Sequence, residues 1–450
     1  MNPTGSGPGP TIVVGLGITG RAVVDALLAD DRELVVIDDR PSPEVRHFVD
    51  SRGLELIESP DPDEVARLVG GASRLIPAPG LPDRHPAIRT ARRLGVAVQS
   101  EFDLAAERDD RPVVAVTGTD GKTTVTTMVA AMLEASGRAT SLAGNNDTPL
   151  IAAIADQRPE VFVVEASSFR LGHSQRFAPV VATWLNFAPD HLDVHDSLDA
   201  YERAKASIFD HQPADGVAIT NAGDPVVSRH RGRGAARHLT FSAGDGDYRV
   251  DSGWLVTDRG ERIVAVDEMS RRAPHDIENA LAAAATACSA GADLVAVAEV
   301  LGSFEGLAHR AQLIDEQGGV RFVDDSKATV PHAVIAAVRG CAHVVLIAGG
   351  RNKGLDLTAL REVSDRVRAV VAIGEAASEV RAVFAPMGIS VVDADSMDDA
   401  VGSASMLARV GDTVLLSPGC TSHDWYDNFA ERGDDFGRAV RALHTGTGAS

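Results

Sequence analysis

Lysine is scarce in this chain, and every lysine lies in a segment rich in glycine, hydroxyl or acidic side chains. Of the 43 basic residues, only Lys122, Lys205, Lys327 and Lys353 are lysines. The lysine amine is compact, flexible and able to lose its proton, whereas the guanidinium of arginine is rigid and remains charged. Because arginine serves wherever a general surface cation is needed, the lysines indicate positions where an amine takes part in chemistry. Together they outline an active site.

Lys122 follows a loop of the kind that binds phosphate groups. Residues 118–124 read Gly-Thr-Asp-Gly-Lys-Thr-Thr, between a predicted strand at 113–117 and a helix predicted to begin at Thr123. The backbone N–H groups of such a loop and the N-terminus of the helix cradle phosphates. Lys122 neutralises charge on the terminal phosphate, and the hydroxyl of Thr123 meets Mg²⁺. Val116 stands where the full phosphate-loop pattern has its first glycine.

Polar residues follow two further predicted strands of the same segment. The strand at 161–164 leads into Glu165, and the strand at 180–185 leads towards His191. Ligands of open α/β sheets bind at the carboxyl ends of the strands, so Lys122, Glu165 and His191 should converge there. An acid and a neutral imidazole beside a phosphate loop suit a divalent cation.

The N-terminal segment carries a second glycine-rich loop. Residues 15–20 read Gly-Leu-Gly-Ile-Thr-Gly, after a predicted strand at 11–14 and before a helix predicted from about Arg21. A second predicted strand at 34–37 ends at Asp38. This is the pattern of a dinucleotide-binding fold, in which the glycines let a backbone approach a pyrophosphate and the acid holds a ribose or base. The same residues also suit a tight turn without a ligand, so both interpretations stay open here.

The alternation of strand-length apolar runs with helix-length segments predicts an α/β fold with parallel sheets. We predict three consecutive open sheets of Rossmann-like or phosphate-loop type, with a central mononucleotide-binding domain. The expected domains are residues 1–107, 108–306 and 307–450. In the last of them, which we expect to bind the acceptor, polar turns follow predicted strands at 321–323, 343–348, 369–373, 389–392 and 413–416.

The composition is that of a globular protein that does not favour anionic partners. The 450 residues are 44% hydrophobic and carry a net charge of −21 at pH 7. This charge argues against nucleic acid and anionic membranes as partners, although local basic groups and helix N-termini can still bind an anionic substrate. The apolar runs are of strand length or contain polar breaks, so no membrane insertion is expected. Three cysteines without metal-type spacing predict a cytoplasmic location.

A series of motifs, in order along the chain, resembles those of the Mur ligase family. They are the loop at 116–124, Glu165-Ala166-Ser167-Ser168-Phe169, Asp190-His191-Leu192-Asp193, Tyr201 with Lys205, His309-Arg310 and Asp325-Ser326-Lys327-Ala328-Thr329. The resemblance covers about the whole chain and is greatest to the D-glutamate-adding branch. It implies an ATP-dependent ligase that joins D-glutamate to UDP-N-acetylmuramoyl-L-alanine through an acyl phosphate, in peptidoglycan precursor synthesis. We expect this ligase to be a monomer.

The resemblance assigns the chemistry to Lys122, Glu165, His191 and Lys205. Lys122 would stabilise the migrating γ-phosphoryl group, while Thr123 and Glu165 would hold one Mg²⁺. His191 would take a second Mg²⁺. In the family the lysine corresponding to Lys205 is carbamylated, which turns a cation into a carboxylate that supports the metal site. Arginine cannot undergo this modification, which accounts for a lysine at this position.

The resemblance also implies sets of binding residues. The ATP set is Gly118, Thr119, Asp120, Gly121, Lys122, Thr123, Thr124, Asn279, His309, Arg310 and Asp325. The UDP-substrate set is Ile18, Thr19, Asp38, Asp39, Arg40 and Asn145. The set expected around the two carboxylates of glutamate, which ammonium and hydroxyl groups suit, is Thr329, Lys353, Ser422 and Phe429. The metal set is Thr123, Glu165, His191 and carbamylated Lys205.

The positions at which this sequence departs from the family pattern lie near the expected binding residues and not among the four expected catalytic residues. Asp120 stands where the family usually has asparagine, which places extra negative charge near ATP. Asp276 also replaces an asparagine, so the adenine contacts rest on Asn279. Residues 146–147 and Val330 differ from the usual residues beside the substrate positions.

Three alternatives stay open at this point. The first is a sibling ligase that adds L-glutamate or L-alanine, or one like folylpolyglutamate synthase. The second is an NAD-dependent oxidoreductase, which the glycine-rich loop at 15–20 suggests but which leaves Lys205 unexplained. The third is a nucleotide-binding scaffold without catalytic activity.

Overall fold

The computed structural model describes residues 9–30, 32–145, 148–192 and 194–446. Strands and helices alternate along the chain, as the sequence predicts. The strands are β1 (Thr11–Val14), β2 (Leu34–Asp38), β3 (Leu56–Glu58), β4 (Arg74–Pro77), β5 (Ala97–Val98), β6 (Val113–Thr117), β7 (Thr140–Gly144), β8 (Val161–Glu165), β9 (Val181–Trp184), β10 (Val217–Asn221), β11 (Arg237–Phe241), β12 (Arg249–Asp251), β13 (Trp254–Val256), β14 (Arg262–Ala265), β15 (Gln312–Gln317), β16 (Val320–Asp324), β17 (Val344–Gly349), β18 (Val367–Ile373), β19 (Ser390–Ala394) and β20 (Thr413–Gly419). The helices are α1 (Ile18–Leu28), α2 (Pro43–Asp50), α3 (Pro62–Gly70), α4 (Pro86–Leu94), α5 (Glu101–Ala106), α6 (Lys122–Ala135), α7 (Leu150–Ala153), α8 (Ser168–Leu171), α9 (Leu198–Ala206), α10 (Pro274–Ser289), α11 (Leu294–Ser303), α12 (Pro331–Arg339), α13 (Ala377–Phe384), α14 (Met397–Leu407) and α15 (Phe429–Gly446).

The chain divides into two compact units. The first comprises the residues up to Ser270 together with Ile277–Phe304, and the second comprises Arg271–Asp276 and the residues from Glu305 onward. The predicted α/β class with consecutive open, mostly parallel sheets is confirmed. Within the described ranges, no helix combines the length and the apolar character that crossing a membrane requires.

The first sheet of the first unit has the strand order β3-β2-β1-β4-β5, and all its pairs are parallel. Every residue of β1 is buried, as expected for a central parallel strand that helices cover on both faces. Helix α1 begins at Ile18, three residues before the predicted start, so it begins inside the glycine-rich loop. This early start needs Gly20, because a Cβ there would lie 2.0 Å from the carbonyl oxygen of Gly15.

The second sheet has the order β11-β10-β9-β6-β8-β7 and is also parallel. Strand β6 lies between β8 and β9, so the carboxyl ends of these strands meet at one edge. The predicted phosphate loop follows β6, Glu165 ends β8, and the segment with His191 follows β9. A small antiparallel sheet with the order β12-β13-β14, which the sequence analysis did not predict, comes next along the chain.

The two parallel sheets of the first unit share an apolar core. Val23 of α1, Phe102 of α5 and Phe162 of β8 belong to one buried cluster. The rings of Phe102 and Phe177 stack with centroids 4.5 Å apart. A fully buried phenylalanine contributes about 1.5–3 kcal/mol through the hydrophobic effect, so this packing joins the two sheets firmly. The loops that follow β1 and β6 therefore belong to one packed body.

The second unit is built on a sheet with the order β15-β16-β20-β17-β18-β19. Strand β15 is antiparallel to β16, and the other pairs are parallel. The predicted strands of this segment are confirmed, and several extend one to three residues further at their carboxyl ends. The antiparallel edge strand was not predicted, because its sequence is polar and only partly buried.

Candidate active site

The loop between β6 and α6 is held by the side chain of Asn186, just after β9. The Oδ1 atom of Asn186 accepts hydrogen bonds from the backbone N–H groups of Thr119 at 3.0 Å and Asp120 at 2.9 Å. Its Nδ2 atom donates to the carbonyl oxygen of Asp120 at 3.2 Å. Asn186 is outside the predicted site set, although its place after a strand next to β6 could have identified it. The side chain fixes the shape of the loop.

Two of the lysines converge on this loop. Lys122 Nζ donates to the carbonyl oxygens of Gly118 and Thr119, both at 2.9 Å. Lys205 Nζ, from the last turn of α9, donates to the same carbonyl of Gly118 at 2.6 Å. Lys205 is only 2% exposed. Burial, and then the neighbouring charge of Lys122, hold the pKa of the Lys205 amine well below its usual range. Burial therefore disfavours the charged form of the Lys205 amine.

The carboxylate of Glu165 lies at the same edge of the sheet. Its Oε2 atom accepts from the hydroxyl of Thr123 at 2.7 Å, and its Oε1 atom accepts from Asn145 Nδ2 at 3.1 Å. Hydroxyl and carboxylate oxygens beside a phosphate loop are ligands that Mg²⁺ prefers, so Thr123 and Glu165 fit this ion. Among the described residues, no group of three or more His, Cys, Asp or Glu side chains is arranged to hold a metal.

His191 and Lys205 both lie near the ring of Tyr201. The ring centroids of His191 and Tyr201 are 6.0 Å apart, and Lys205 Nζ lies 4.6 Å from the centroid of Tyr201. The hydroxyl of Tyr201 lies 3.2 Å from the Oγ1 atom of Thr119 in the phosphate loop. His191 has a φ of 54°, a strained value for a residue with a side chain, and its Nε2 atom lies 3.2 Å from the carboxylate of Asp190. Its imidazole therefore lies between the carboxylate of Asp190 and the ring of Tyr201.

Asn279 packs against the phosphate loop from α10. Gly121 has a φ of 83°, and a Cβ at Gly121 would lie 2.6 Å from the Oδ1 atom of Asn279. Only glycine accommodates both the conformation and this close approach. Thr124 lies in the first turn of α6 and is half-buried. Asp276, the neighbouring departure from the family pattern, forms an ion pair with Arg271 at 2.9 Å.

All residues predicted for the UDP-substrate except Asn145, which follows β7, lie around the carboxyl ends of β1 and β2. The carboxylate of Asp38 accepts from the backbone N–H groups of Leu16 at 2.8 Å and Arg40 at 2.9 Å. It therefore supports the glycine-rich loop directly. Asp39 Oδ2 lies 3.0 Å from the Nε2 atom of a histidine, His85, and the side chain of Ile18 is 58% exposed.

The other two members of this set contact Arg170. Its guanidinium donates to Thr19 Oγ1 at 3.0 Å and to Asn145 Oδ1 at 3.2 Å. The sequence analysis did not single out Arg170, because no local pattern marks it. The departure at residues 146–147 lies outside the described residues.

The remaining predicted residues belong to the second unit. His309 Nδ1 lies 2.7 Å from Asp324 Oδ2, with a φ of 60° at His309. The carboxylate of Asp325 accepts from Ser417 Oγ at 2.8 Å and from the backbone N–H of Ala311 at 3.1 Å. Burial raises the pKa of the Asp325 carboxyl to about 7, and the charge of Arg310 opposes this shift.

The residues predicted to bind glutamate range from buried to exposed. Ser422 is buried, and the ring of Phe429 lies 4.9 Å from the amine of Lys327. Thr329 is half-buried, and Lys353 is exposed.

Arg432 is a further buried cation of the second unit that lay outside the predicted site set. Its guanidinium donates to the Oγ atom of Ser326 at 2.9 Å, to the carbonyl oxygen of Ser326 at 2.8 Å and to that of Cys420 at 3.2 Å. Burial lowers the pKa of Arg432 to about 10. The side chain joins the turns after β16 and β20, where the predicted nucleotide and glutamate residues lie.

Comparisons with known proteins bear on this arrangement. Family models match in chain order: the N-terminal domain of MurD-like Mur ligases over residues 10–100, the Mur ligase middle domain over 116–287, and the glutamate ligase domain of Mur ligases over 309–420. The UDP-N-acetylmuramoylalanine–D-glutamate ligase of Frankia casuarinae is 41% identical over 96% of this chain and 94% of its own length. The protein with the same name from Desulfosudis oleivorans is 38% identical over 99% of each chain.

Solved structures share the fold at lower identity. The UDP-N-acetylmuramate–alanine ligase of Thermotoga maritima has a TM-score of 0.58 and 19% identity, over 96% of this chain and 99% of that one. MurF of Acinetobacter baumannii has a TM-score of 0.59 and 17% identity, over 95% of this chain and 90% of that one. On its domain matches and on its identity to near full-length relatives, this chain belongs to the Mur ligase family.

Proposed function

We propose that this chain is the ATP-dependent ligase that adds D-glutamate to UDP-N-acetylmuramoyl-L-alanine in peptidoglycan precursor synthesis. The observation that carries the proposal is the convergence of Lys122, Glu165 and a buried, readily deprotonated Lys205 on one phosphate loop. The names of the near full-length relatives supply the substrates. Membership of a ligase family decides against the oxidoreductase alternative.

The proposed reaction transfers the γ-phosphoryl group of ATP to the substrate carboxylate. The amine of glutamate then attacks the acyl phosphate, and inorganic phosphate leaves. Such transfers depend chiefly on positioning and charge neutralisation. Lys122, at the start of α6, would hold the migrating phosphoryl group, and the backbone N–H groups of the loop would hold the other phosphates. Bound Mg²⁺ would neutralise phosphate charge, with Thr123 and Glu165 as ligands of one ion and His191 as a ligand of a second.

Lys205 would serve this site as a carbamate. Its neutral amine nitrogen would attack the carbon of CO₂, forming a C–N bond and releasing one proton. The product is an anion with two oxygen acceptors in place of a cation. The lowered pKa of Lys205 and its distance of 2.6 Å from the phosphate-loop carbonyl support this assignment.

The rest of the predicted organisation is part of the same proposal. The domains would be residues 1–107, 108–306 and 307–450, which the separate sheet in each segment supports. ATP would also contact Asn279, His309, Arg310 and Asp325. Glutamate would contact Thr329, Lys353, Ser422 and Phe429. We propose a cytoplasmic monomer with small-molecule substrates and no nucleic-acid partner.

The test is phosphate release from ATP with UDP-N-acetylmuramoyl-L-alanine and, in parallel, D-glutamate, L-glutamate, L-alanine or no amino acid. We expect release that only D-glutamate stimulates. Stimulation by L-glutamate or L-alanine instead would identify a sibling ligase. No release in any mixture would contradict the proposal and leave the non-catalytic scaffold.

A further inference from the structure

A continuous series of side-chain hydrogen bonds joins the two glycine-rich loops of the first unit. Arg170 donates to Thr19 Oγ1 at 3.0 Å and to Asn145 Oδ1 at 3.2 Å. Asn145 Nδ2 donates to Glu165 Oε1 at 3.1 Å, and the hydroxyl of Thr123 donates to Glu165 Oε2 at 2.7 Å. The series begins in the first turn of α1 and ends in the first turn of α6. It links the predicted UDP-substrate position to the predicted nucleotide position.

An ion pair with Glu101 holds the guanidinium of Arg170 in the position from which it makes these contacts. Its side chain is 5% exposed and forms an ion pair at 2.8 Å with Glu101, whose side chain is 1% exposed. The second carboxylate oxygen of Glu101 accepts from the backbone N–H of Ile151 at 3.0 Å. Separating a buried ion pair would leave an uncompensated charge on each partner, so Glu101 anchors the guanidinium. Its planar fork then sets the positions of Thr19 and Asn145 relative to each other.

The chemistry of the neighbours fixes the orientation of the Asn145 amide. The guanidinium of Arg170 can only donate hydrogen bonds, and the carboxylate of Glu165 can only accept them. The Asn145 oxygen must therefore face Arg170 and its nitrogen must face Glu165. A reversed amide would oppose donor to donor and acceptor to acceptor. Each hydrogen bond of the series therefore has one donor and one acceptor that cannot exchange roles.

We propose that Arg170 is a positioning residue that couples the two ligand sites, so that the UDP-substrate and the nucleotide each tighten the binding of the other. This inference rests on the proposed function. A ligand that orders Thr19 would hold Arg170 and Asn145 in the arrangement that presents Glu165 towards the phosphate loop. The nucleotide would then bind to a site already ordered. Couplings of this kind usually change an affinity by about 5–150-fold, and the change is the same in both directions.

The experiment measures the dissociation constant of the β,γ-imido analogue of ATP, with Mg²⁺, in the absence and presence of saturating UDP-N-acetylmuramoyl-L-alanine. The analogue prevents phosphoryl transfer, so the measurement reports binding alone. In the wild type we expect the UDP-substrate to tighten analogue binding at least about 5-fold. In Arg170→Met we expect the two constants to be equal within error. The reverse titration should give the same factors.

A matched control separates coupling from general destabilisation. Arg111 also makes several side-chain hydrogen bonds in the first unit, to Asp109 and to the carbonyl oxygens of Ile154, Asp156 and Pro159, but it precedes β6 at the opposite end of the sheet. Arg111→Met should retain the wild-type coupling factor. If Arg170→Met does not fold, Arg170→Lys keeps a cation beside Glu101 but loses the fork, and Thr19→Val removes one end of the series. Arg170→Lys and Thr19→Val should each abolish coupling. Thr19→Ser, which keeps the hydroxyl group, should retain coupling.

The outcomes distinguish this inference from the proposed function. If both ligands bind the wild type but neither changes the affinity of the other, the coupling proposal is wrong and the proposed function stands. An unchanged coupling factor in Arg170→Lys and Thr19→Val would also overturn it. If neither ligand binds the wild type, both proposals are wrong.

Discussion

Lys122 and Lys205 donate hydrogen bonds to the same acceptor, the carbonyl oxygen of Gly118, at 2.9 and 2.6 Å. Two ammonium groups at one carbonyl repel each other, and the repulsion is strong where water is excluded. Lys122 is half-buried at the start of α6, whereas Lys205 is buried, and burial disfavours the charged form of the Lys205 amine. This difference in burial supports the proposal that Lys122 holds phosphate and that Lys205 is the lysine that is modified.

Lys205→Arg is expected to abolish ligase activity, by at least about 100-fold, because a guanidinium cannot form the carbamate. The measurement is D-glutamate-dependent phosphate release, together with ¹³C NMR of protein equilibrated with ¹³C-bicarbonate. The wild type should show a carbamate resonance that the variant lacks. Arg203→Lys, on the exposed side of the same helix, is the matched control and should retain activity. Full activity in Lys205→Arg would refute the carbamate.

Asn186→Ala is expected to weaken binding of the ATP analogue by about 10-fold or more. The substitution removes the side-chain oxygen that accepts from the N–H groups of Thr119 and Asp120, although the Thr119 N–H keeps the backbone carbonyl oxygen of residue 186 at 3.2 Å. Loss of a buried acceptor costs about 1–3 kcal/mol. Calorimetric titration measures the affinity, and thermal unfolding measures the accompanying loss of stability. Asn221→Ala is the matched control, since Asn221 is a buried amide at the end of the next strand and donates to Leu185. Equal losses of affinity in both variants would contradict a specific role for Asn186.

Asp325 should make the stability of the second unit depend on pH. Burial raises the pKa of its carboxyl from 3.8 to about 7, so the folded state holds a proton that the unfolded state has already lost. The stability from this proton is fully present below about pH 4 and is lost as the pH rises to about 7. Across that range, the free energy of unfolding should fall by up to about 4 kcal/mol relative to Asp325→Asn.

Urea unfolding followed by the fluorescence of Trp425, in a background with Trp184 and Trp254 replaced by phenylalanine, measures this difference. Asp365→Asn, at an exposed position, is the control and should follow the wild type. Parallel pH curves for wild type and Asp325→Asn would contradict the prediction.

The α/β class, the positions of the main strands and the glycine-rich loop before α6 could all be predicted from the amino-acid sequence. These features are local: apolar runs of strand length and a glycine-rich turn before a helix can be read from neighbouring residues. The rarity of lysine likewise singles out Lys122 and Lys205, and the structure places both amines at the carbonyl oxygen of Gly118. The start of helix α1 was predicted three residues late, since local propensity does not reveal the contact between Gly15 and Gly20.

The side chains that hold the candidate site in shape became evident from the packing of distant segments. Arg170 is 69 positions from Glu101 and 151 from Thr19, and Asn186 is 67 from Thr119. Contacts over such separations depend on the strand order of the two parallel sheets and on the core that joins them, which no local pattern contains. The antiparallel edge strand β15 was missed for a related reason: its polar residues form a strand because β16 offers an unpaired edge. The sequence thus supplied the reactive groups, and the packing of distant segments supplied their orientation.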